Sequence, residues 1–443
     1  MEAFEHLSEA ADPDEDGLTL LESLCDKSLL TAEHRGDLVR YRLAAPIRQF
    51  AARQLDERGE RDDAELAHIT YFRALGHATD AEISGKPAPV LLAERKADND
   101  NFVVCINRAA ARGDRSNALL TAIGLHTYWE ETGSLAQASE IIESVVGDDL
   151  TDPMTFRGVG ILLAYAPMCG NMRRAIELGD ALTPALDQPL PPKLAGQLRF
   201  TLGFLHSSRG NLVAAADLWA EAGEMLVGVD DQLARQALFN AGHSSTHAGR
   251  WDEARRFLDQ AATVPPPVQG WFPDLTRVTR ALLDIYTGAG GVDELLAGAK
   301  ALDSWGLQFR LMLASVDAAT GLFRAGSPVE AEQWWRRLLD IGQEMGNVWA
   351  ALMSLEFAAW SEVARGDDQR AAEIWGCIDR FALDRGYGWW DLIAAGGAER
   401  RALVTSRSPA VFEEATRQGS TRTLHEETEA VLRTAPLQEG TNP

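Results

Sequence analysis

A glycine, four residues and an alanine recur along this chain, at Gly133/Ala138, Gly170/Ala175, Gly210/Ala215, Gly249/Ala254, Gly326/Ala331 and Gly366/Ala371. The glycine-to-glycine steps are 37, 40, 39, 77 and 40 residues. The double step holds one degenerate unit, where "TGAGGVDELLAGA" supplies Gly290 and puts Leu295 in the alanine place. A fixed period of this length predicts a helical solenoid, because each unit is one supersecondary element that buries its apolar face only against its neighbours.

Each fixed letter has a physical role. The stretch before each glycine carries an apolar stripe at helical spacing, as in "LAGQLRFTLGFLHSSRG" and "QLARQALFNAGHSSTHAG". Glycine then ends the helix, since a residue without Cβ turns at positive φ without penalty. The alanine marks a close crossing of two antiparallel helices, and Trp219, Leu258, Trp335 and Trp375, four residues later, fill the space between units. The connectors "DQPLPPK" and "VPPPVQGWFP" are proline breaks. The expected fold is all-α, a solenoid of about seven helix pairs; 46% apolar residues in 443 suffice for its core.

The pattern resembles the tetratricopeptide repeat, best in the two central units. There a glycine stands seven residues before the turn (Gly203, Gly242), a small residue twelve after it (Ala222, Ala261), and a proline follows in the second (Pro265). The period departs from that family's 34, and the outer units keep only the glycine and alanine. The resemblance implies a right-handed solenoid with a concave face lined by the first helix of each pair. Its groove positions, carried onto this chain, are Gln197, Phe200, Phe204, Ser207 and Ser208; then Gln236, Phe239, His243, Thr246 and His247; then Met353, Glu356, Trp360, Val363 and Ala364. Gln197, Phe200, Phe204, Gln236, Phe239, His243, His247 and Trp360 are the candidate partner-binding residues. Aromatic side chains there suit a peptide or helix anchor, and packing into neighbouring repeats is the alternative.

The first 80 residues differ in kind. "LTLLESLCDKSLLTAEHRGDLVRYRLAAPIRQFAARQLDERGE" reads as a helix, two short strands around "EHRGD", and a long helix from near Pro46. Helix, hairpin, helix is the closing part of a winged helix. With Asp26-Lys27-Ser28-Leu29-Leu30, Arg40-Tyr41-Arg42-Leu43 and Ile47-Arg48-Gln49-Phe50-Ala51, the stretch resembles the signal-transducing NTPase-type (LuxR/AfsR-like) bacterial transcriptional regulators, in which an ATPase core precedes a winged helix and tetratricopeptide-like repeats. "ADNDNFVVCINRAAARGD" and "FEEATRQGSTRTLHEETEAVL" extend the likeness. It covers only the rear half of that architecture: no GxxxxGK[ST] occurs to hold ATP phosphates, so the resemblance implies a separate or upstream NTPase domain, and Met1 as a late start. The expected division is 1–80 partial winged-helix module, 81–115 connecting helices, 116–404 solenoid, 405–436 capping helices and 437–443 disordered tail.

A net charge of −24 opposes phosphate backbones and anionic membranes. The helix in the recognition place, "GLTLLESLCDK", offers Lys27 and otherwise mainly Leu, Glu and Asp, so nucleic acid is not the expected partner; Arg40, Arg42 and Arg48 read as salt-bridge partners. A DNA-contacting regulator is the competing reading. Cys25, Cys105, Cys169 and Cys377 form no CxxC pair, no apolar run is long enough to span a membrane, and the acidic start lacks a leader, all of which fits a cytoplasmic chain. His243 and His247 share a helix face as two zinc ligands would, but no glutamate follows the first and no third ligand lies near in sequence. His68, His77, His126 and His206 are lone, and no catalytic motif is present. Eight of twelve tryptophans fall between Trp305 and Trp390, which reads as a thick repeat core before it reads as a pocket. The sequence therefore predicts a non-catalytic interaction or sensing module, without cofactor or metal, in bacterial transcriptional or signalling control, with a protein or peptide partner in its concave groove.

Overall fold

The computed structural model describes residues 2–11, 16–35, 38–85, 89–147, 149, 152–265, 270–388 and 394–438. It opens with α1 (Glu2–Ala11), α2 (Gly17–Asp26), the strands β1 (Leu30–Arg35) and β2 (Leu38–Leu43), and α3 (Ala45–Arg58), followed by the long helices α4 (Arg61–Gly85) and α5 (Pro89–Ala111). Helical hairpins come next. In the first, α6 (Arg115–Gly124) continues into α7 (His126–Thr132) and pairs with α8 (Leu135–Val145). Then come α9 (Pro153–Met168) with α10 (Met172–Leu182), α11 (Pro192–Ser208) with α12 (Leu212–Leu226), and α13 (Asp231–His247) with α14 (Trp251–Thr263). The last three are α15 (Phe272–Thr287) with α16 (Val292–Ser304), α17 (Gln308–Arg324) with α18 (Pro328–Glu344), and α19 (Val348–Arg365) with α20 (Asp368–Arg385). Helices α21 (Ala394–Arg407), α22 (Pro409–Gly419) and α23 (Leu424–Arg433) finish the chain. The protein is an all-α, tetratricopeptide-like solenoid with one two-stranded antiparallel hairpin among the described residues.

The repeated letters do what the physics requires. The turn glycines all take positive φ, from 71° at Gly133 to 96° at Gly290. The paired alanines Ala138, Ala175, Ala215, Ala254, Ala331 and Ala371 are fully buried, and so is Leu295 in the degenerate unit. Gly203 is small because Trp219 lies against it: a Cβ there would sit 2.4 Å from Trp219 Nε1, which donates to the Phe200 carbonyl at 2.9 Å.

The array does not stay open. Helix α17 packs on α7 and α19 on α9, so the later hairpins return onto the earlier ones. One core joins Phe156, Leu163, Leu198 and Leu205 with Phe309, Leu322, Trp335 and Phe357. Gly133 permits the approach, since a Cβ there would lie 2.6 Å from Met345 Cα. Polar contacts tie the seam. Glu131 Oε2 accepts the Phe309 N–H at 2.8 Å, capping α17 where its own N-cap Leu307 offers no side-chain acceptor. Arg310 lies 2.9 Å from Glu130 and 3.5 Å from Glu131. Farther along, Arg173 donates to the Asp384 carbonyl at 2.9 Å and the Tyr387 hydroxyl to the Pro167 carbonyl. Burial pushes the Glu131 carboxyl up to about 7, with Arg310 pulling the other way.

At the N-terminus the helix–hairpin–helix order is present, with Leu30 opposite Leu43 and Arg35 opposite Leu38. The strand therefore runs through Glu33 to Arg35 of the expected turn, and Gly36 and Asp37 lie outside the described residues. Arg40 pairs with Asp98 at 3.0 Å and Arg42 with Glu33 at 3.2 Å. Helix α4 runs across residue 80, and its Ile69 and Phe72 join Phe102 and Cys105 of α5 in one core with α6 to α9. At the other end, α23 packs on α19 and α20. Leu437, placed by sequence at the start of the tail, is 7% exposed, and its N–H donates to Glu332 Oε2 at 2.7 Å. Arg336 and Arg365 hold the preceding carbonyls of Thr434 and Ala435, which fixes the strand of chain. Residues 439–443 lie outside the described residues. No helix among the described residues is long and apolar enough to cross a membrane.

Candidate functional site

The first four hairpins border a half-open cavity of about 610 Å³. Its walls come from α7, α9, α11 and α13, and it is closed at one side by Trp271, Phe272 and Arg310. Phe200 and Phe204, one turn apart on α11, are half-buried and meet edge to face at 5.1 Å; Phe204 in turn meets Trp219 at 5.2 Å. Gln197 is 8% exposed, and its Oε1 has no hydrogen-bond partner. One hairpin on, Gln236 is exposed to the same space. Arg235 lines the wall too and donates to the Val264 carbonyl at 2.9 Å, while Arg310 spreads over the Trp271 ring at 4.7 Å. The arrangement offers aromatic surface, side-chain amides and held guanidinium groups, which suits a ligand with apolar side groups and peptide-like polar ones.

A second arrangement lies farther along α13. His243 Nε2 and His247 Nε2 stand 3.0 and 3.1 Å from the same oxygen, Oδ1 of Asp317 on α17. The Thr279 hydroxyl, from α15, donates to Asp317 Oδ2 at 3.1 Å. Asp317 is 1% exposed, the His247 side chain 4% and the His243 side chain 31%. Burial opposes charge on all three. For Asp317 the two imidazoles overcome it and hold the carboxyl well below the usual range. For His243 the adjacent carboxylate overcomes it and raises the imidazole; for His247 burial wins and lowers it. Among the described residues this is the one group of three such side chains whose ligand atoms all lie close together, within 4.8 Å.

The eight candidate residues thus separate into three places. Gln197, Phe200, Phe204 and Gln236 line the cavity. Phe239, His243 and His247 lie deeper: Phe239 is 6% exposed, meets Phe272 at 5.3 Å and stacks on His243 at 6.1 Å. Trp360 is 2% exposed, packed against Phe323 and Phe357, with its Nε1 donating to Glu356 at 3.0 Å and Arg400 4.2 Å above its ring. In the tryptophan-rich segment Trp335, Trp360 and Trp375 are buried, and Trp305, Trp334 and Trp349 are partly buried; Trp389 and Trp390 lie outside the described residues. Sequence reasoning missed Asp317, the third member of the histidine cluster, and Tyr165 and Phe156 of the cavity wall. The signal for Asp317 was present, an acid inside the apolar run "LMLASVDAATGLF".

The chain matches no protein-family model and no curated protein. Among solved structures it is similar to a Rap protein complexed with competence and sporulation factor, at 13% identity over 72% of this chain and 99% of that one, with a TM-score of 0.43. It is also similar to a signal-transduction ATPase with numerous domains and a tetratricopeptide repeat sensor from Pyrococcus horikoshii, at 15% identity and a TM-score of 0.40, over 97% of this chain and 62% of that one. At these identities and scores neither neighbour fixes what this chain binds.

Proposed function

We propose that this chain is a non-catalytic sensing module that holds a short peptide segment in the cavity between α7, α9, α11 and α13. The observation that carries the reading is Gln197. A buried amide oxygen without a donor costs about 1–3 kcal/mol, and Gln197 is one of the residues that line the recess with Phe200 and Phe204. A turn of the Gln197 side chain would bring that oxygen to a backbone N–H of a bound segment, and the two phenylalanines take an apolar side chain beside it. A peptide array screened against the full chain, with hits measured by calorimetry, tests this. Gln197→Leu and Phe204→Ala should each weaken the hits about tenfold or more, that is by about 1.4 kcal/mol. Hits that bind the double variant as tightly as the parent remove the cavity as the site.

The regulatory setting follows from the sequence resemblance and is part of the same proposal. On the helix–hairpin–helix, Leu29, Val39, Leu43 and Phe50 are 36%, 41%, 41% and 57% exposed, apolar surface suited to a further protein body. We read these exposed side chains as contacts for a nucleotide-binding core, separate or upstream. With Arg40 and Arg42 engaged by carboxylates, the module is a poorer match for DNA. A core of this regulator class, supplied in trans, should bind the parent and not a Val39→Lys/Phe50→Lys variant; equal binding overturns the assignment. Duplex DNA at low salt checks the competing reading, which tight and steeply salt-sensitive binding would favour.

A further inference from the structure

We infer that His243, His247 and Asp317 form a binding site for a divalent transition-metal ion of borderline softness, with zinc the best chemical match. Two imidazole nitrogens and one carboxylate oxygen are a donor set that such ions take, and three protein ligands leave a position for water or another donor.

The spacing fits an ion. Ligand atoms about 2.1 Å from a common metal stand roughly 3.0 to 3.4 Å apart, between octahedral and tetrahedral angles. The two imidazole nitrogens lie 3.0 and 3.1 Å from Asp317 Oδ1, and all three ligand atoms lie within 4.8 Å of one another, so an adjustment of the side chains is needed to close them on the metal. The ligands sit on rigid elements: His243 and His247 are one turn apart on α13, and Asp317 faces them from α17. Thr279 occupies Oδ2, leaving Oδ1 turned to the nitrogens, as an outer-shell partner of a metal ligand does. The half-exposed His243 side chain provides the way in.

A contrast within the molecule separates this cluster from an ordinary buried ion pair. Among the described residues the other buried carboxylates all have arginine partners: Glu131 has Arg310, Glu332 has Arg336 and Arg365, Glu356 has Arg401, Glu362 has Arg365, and Glu427 has Arg370 and Arg422. Asp317 has two imidazoles and a hydroxyl, and among the described residues no arginine or lysine bonds to it. Arginine neutralises a buried carboxylate permanently, whereas imidazole can give up its proton and ligate. An ion at this point would tie α13 to α17 beside the peptide cavity, with Phe239 and Phe272 between the two sites.

The test uses the full chain, stripped with a chelator and titrated with Co2+, followed by visible absorption and then by displacement with Zn2+ in calorimetry. The expected result is saturable uptake of one Co2+ per chain, displaced by Zn2+, with a melting temperature that rises with Zn2+. His243→Ala, at the half-exposed position, should weaken binding at least ~10-fold, and Thr279→Val about tenfold. His206→Ala, outside the cluster, should leave it unchanged. Absence of one-to-one uptake, or His243→Ala binding equal to the parent in a chain whose circular dichroism is unaltered, overturns the site. Should His247→Ala fail to fold, the His243 and Thr279 variants still decide.

Discussion

The hairpins built from α11 to α14 and those built from α17 to α20 obey the same sequence rule and present opposite concave faces. In the first set, Phe200 and Phe204 stay half-buried above a cavity, and Gln197 keeps an unpaired oxygen. In the second, the equivalent position Trp360 is packed among Phe323, Phe357 and Arg400. The letters of the repeat do not set the difference. It comes from what the winding brings opposite: α17 and α19 meet α7 and α9, whereas α11 and the first turns of α13 border the cavity. A groove position in a solenoid is a candidate site only where the superhelix leaves it uncovered.

The sharpest way to break this contrast is to truncate one residue from each set. Trp360→Ala should cost about 3–5 kcal/mol of unfolding free energy, as for large aromatic deletions in a core, and Phe204→Ala less than half of that. Urea denaturation of both variants measures it, and equal losses would mean that the two faces are packed alike.

Next is the seam itself. The Glu131 carboxyl ionises at about 7 in the folded chain against an ordinary 4.5, so the unfolded chain gives up this proton first. Its contribution is therefore greatest below pH 4.5 and declines as pH rises to about 7, by up to about 3 kcal/mol. Glu131→Gln should erase that slope, read as the difference between variant and parent in denaturation at pH 5 and pH 8. An unchanged difference would show that the carboxyl is not buried at a closed seam.

Gly203→Ala probes the floor of the open set. The added methyl must displace Trp219 from its bond to the Phe200 carbonyl, at a cost of about 1–3 kcal/mol. A variant as stable as the parent would mean that α11 and α12 are not so closely packed.

The smallest effect carries an unusual sign. Gln197→Leu removes an orphaned amide, so without ligand the chain should be unchanged or firmer by about 1 kcal/mol while peptide binding weakens about tenfold or more. Loss of stability instead would show the amide to be a structural partner in the free chain.

What the sequence disclosed follows the range of the physics. Turn glycines and crossing alanines are local, so the period, the helix pairs and the α11 cavity residues were readable from letters a few places apart. Asp317 is 74 residues from His243, and Glu131 is 178 from Phe309; neither pairing leaves a spacing to read. Phe239, His247 and Trp360 were placed on the concave side by rule, and their burial depends on the winding of the whole array. The buried end of the chain at Leu437 was hidden for the same reason, since the segment is polar and proline-containing and its partner Glu332 sits on α18.

Linear arrays melt from their ends, because a terminal unit has one neighbour to lose. Here the arc from α17 to α20 is clasped to the arc that starts at α7, so fraying of the last hairpins must also strip cover from the first ones. The chain should therefore denature as one cooperative body, and anything that loosens or braces one arc is felt across the clasp.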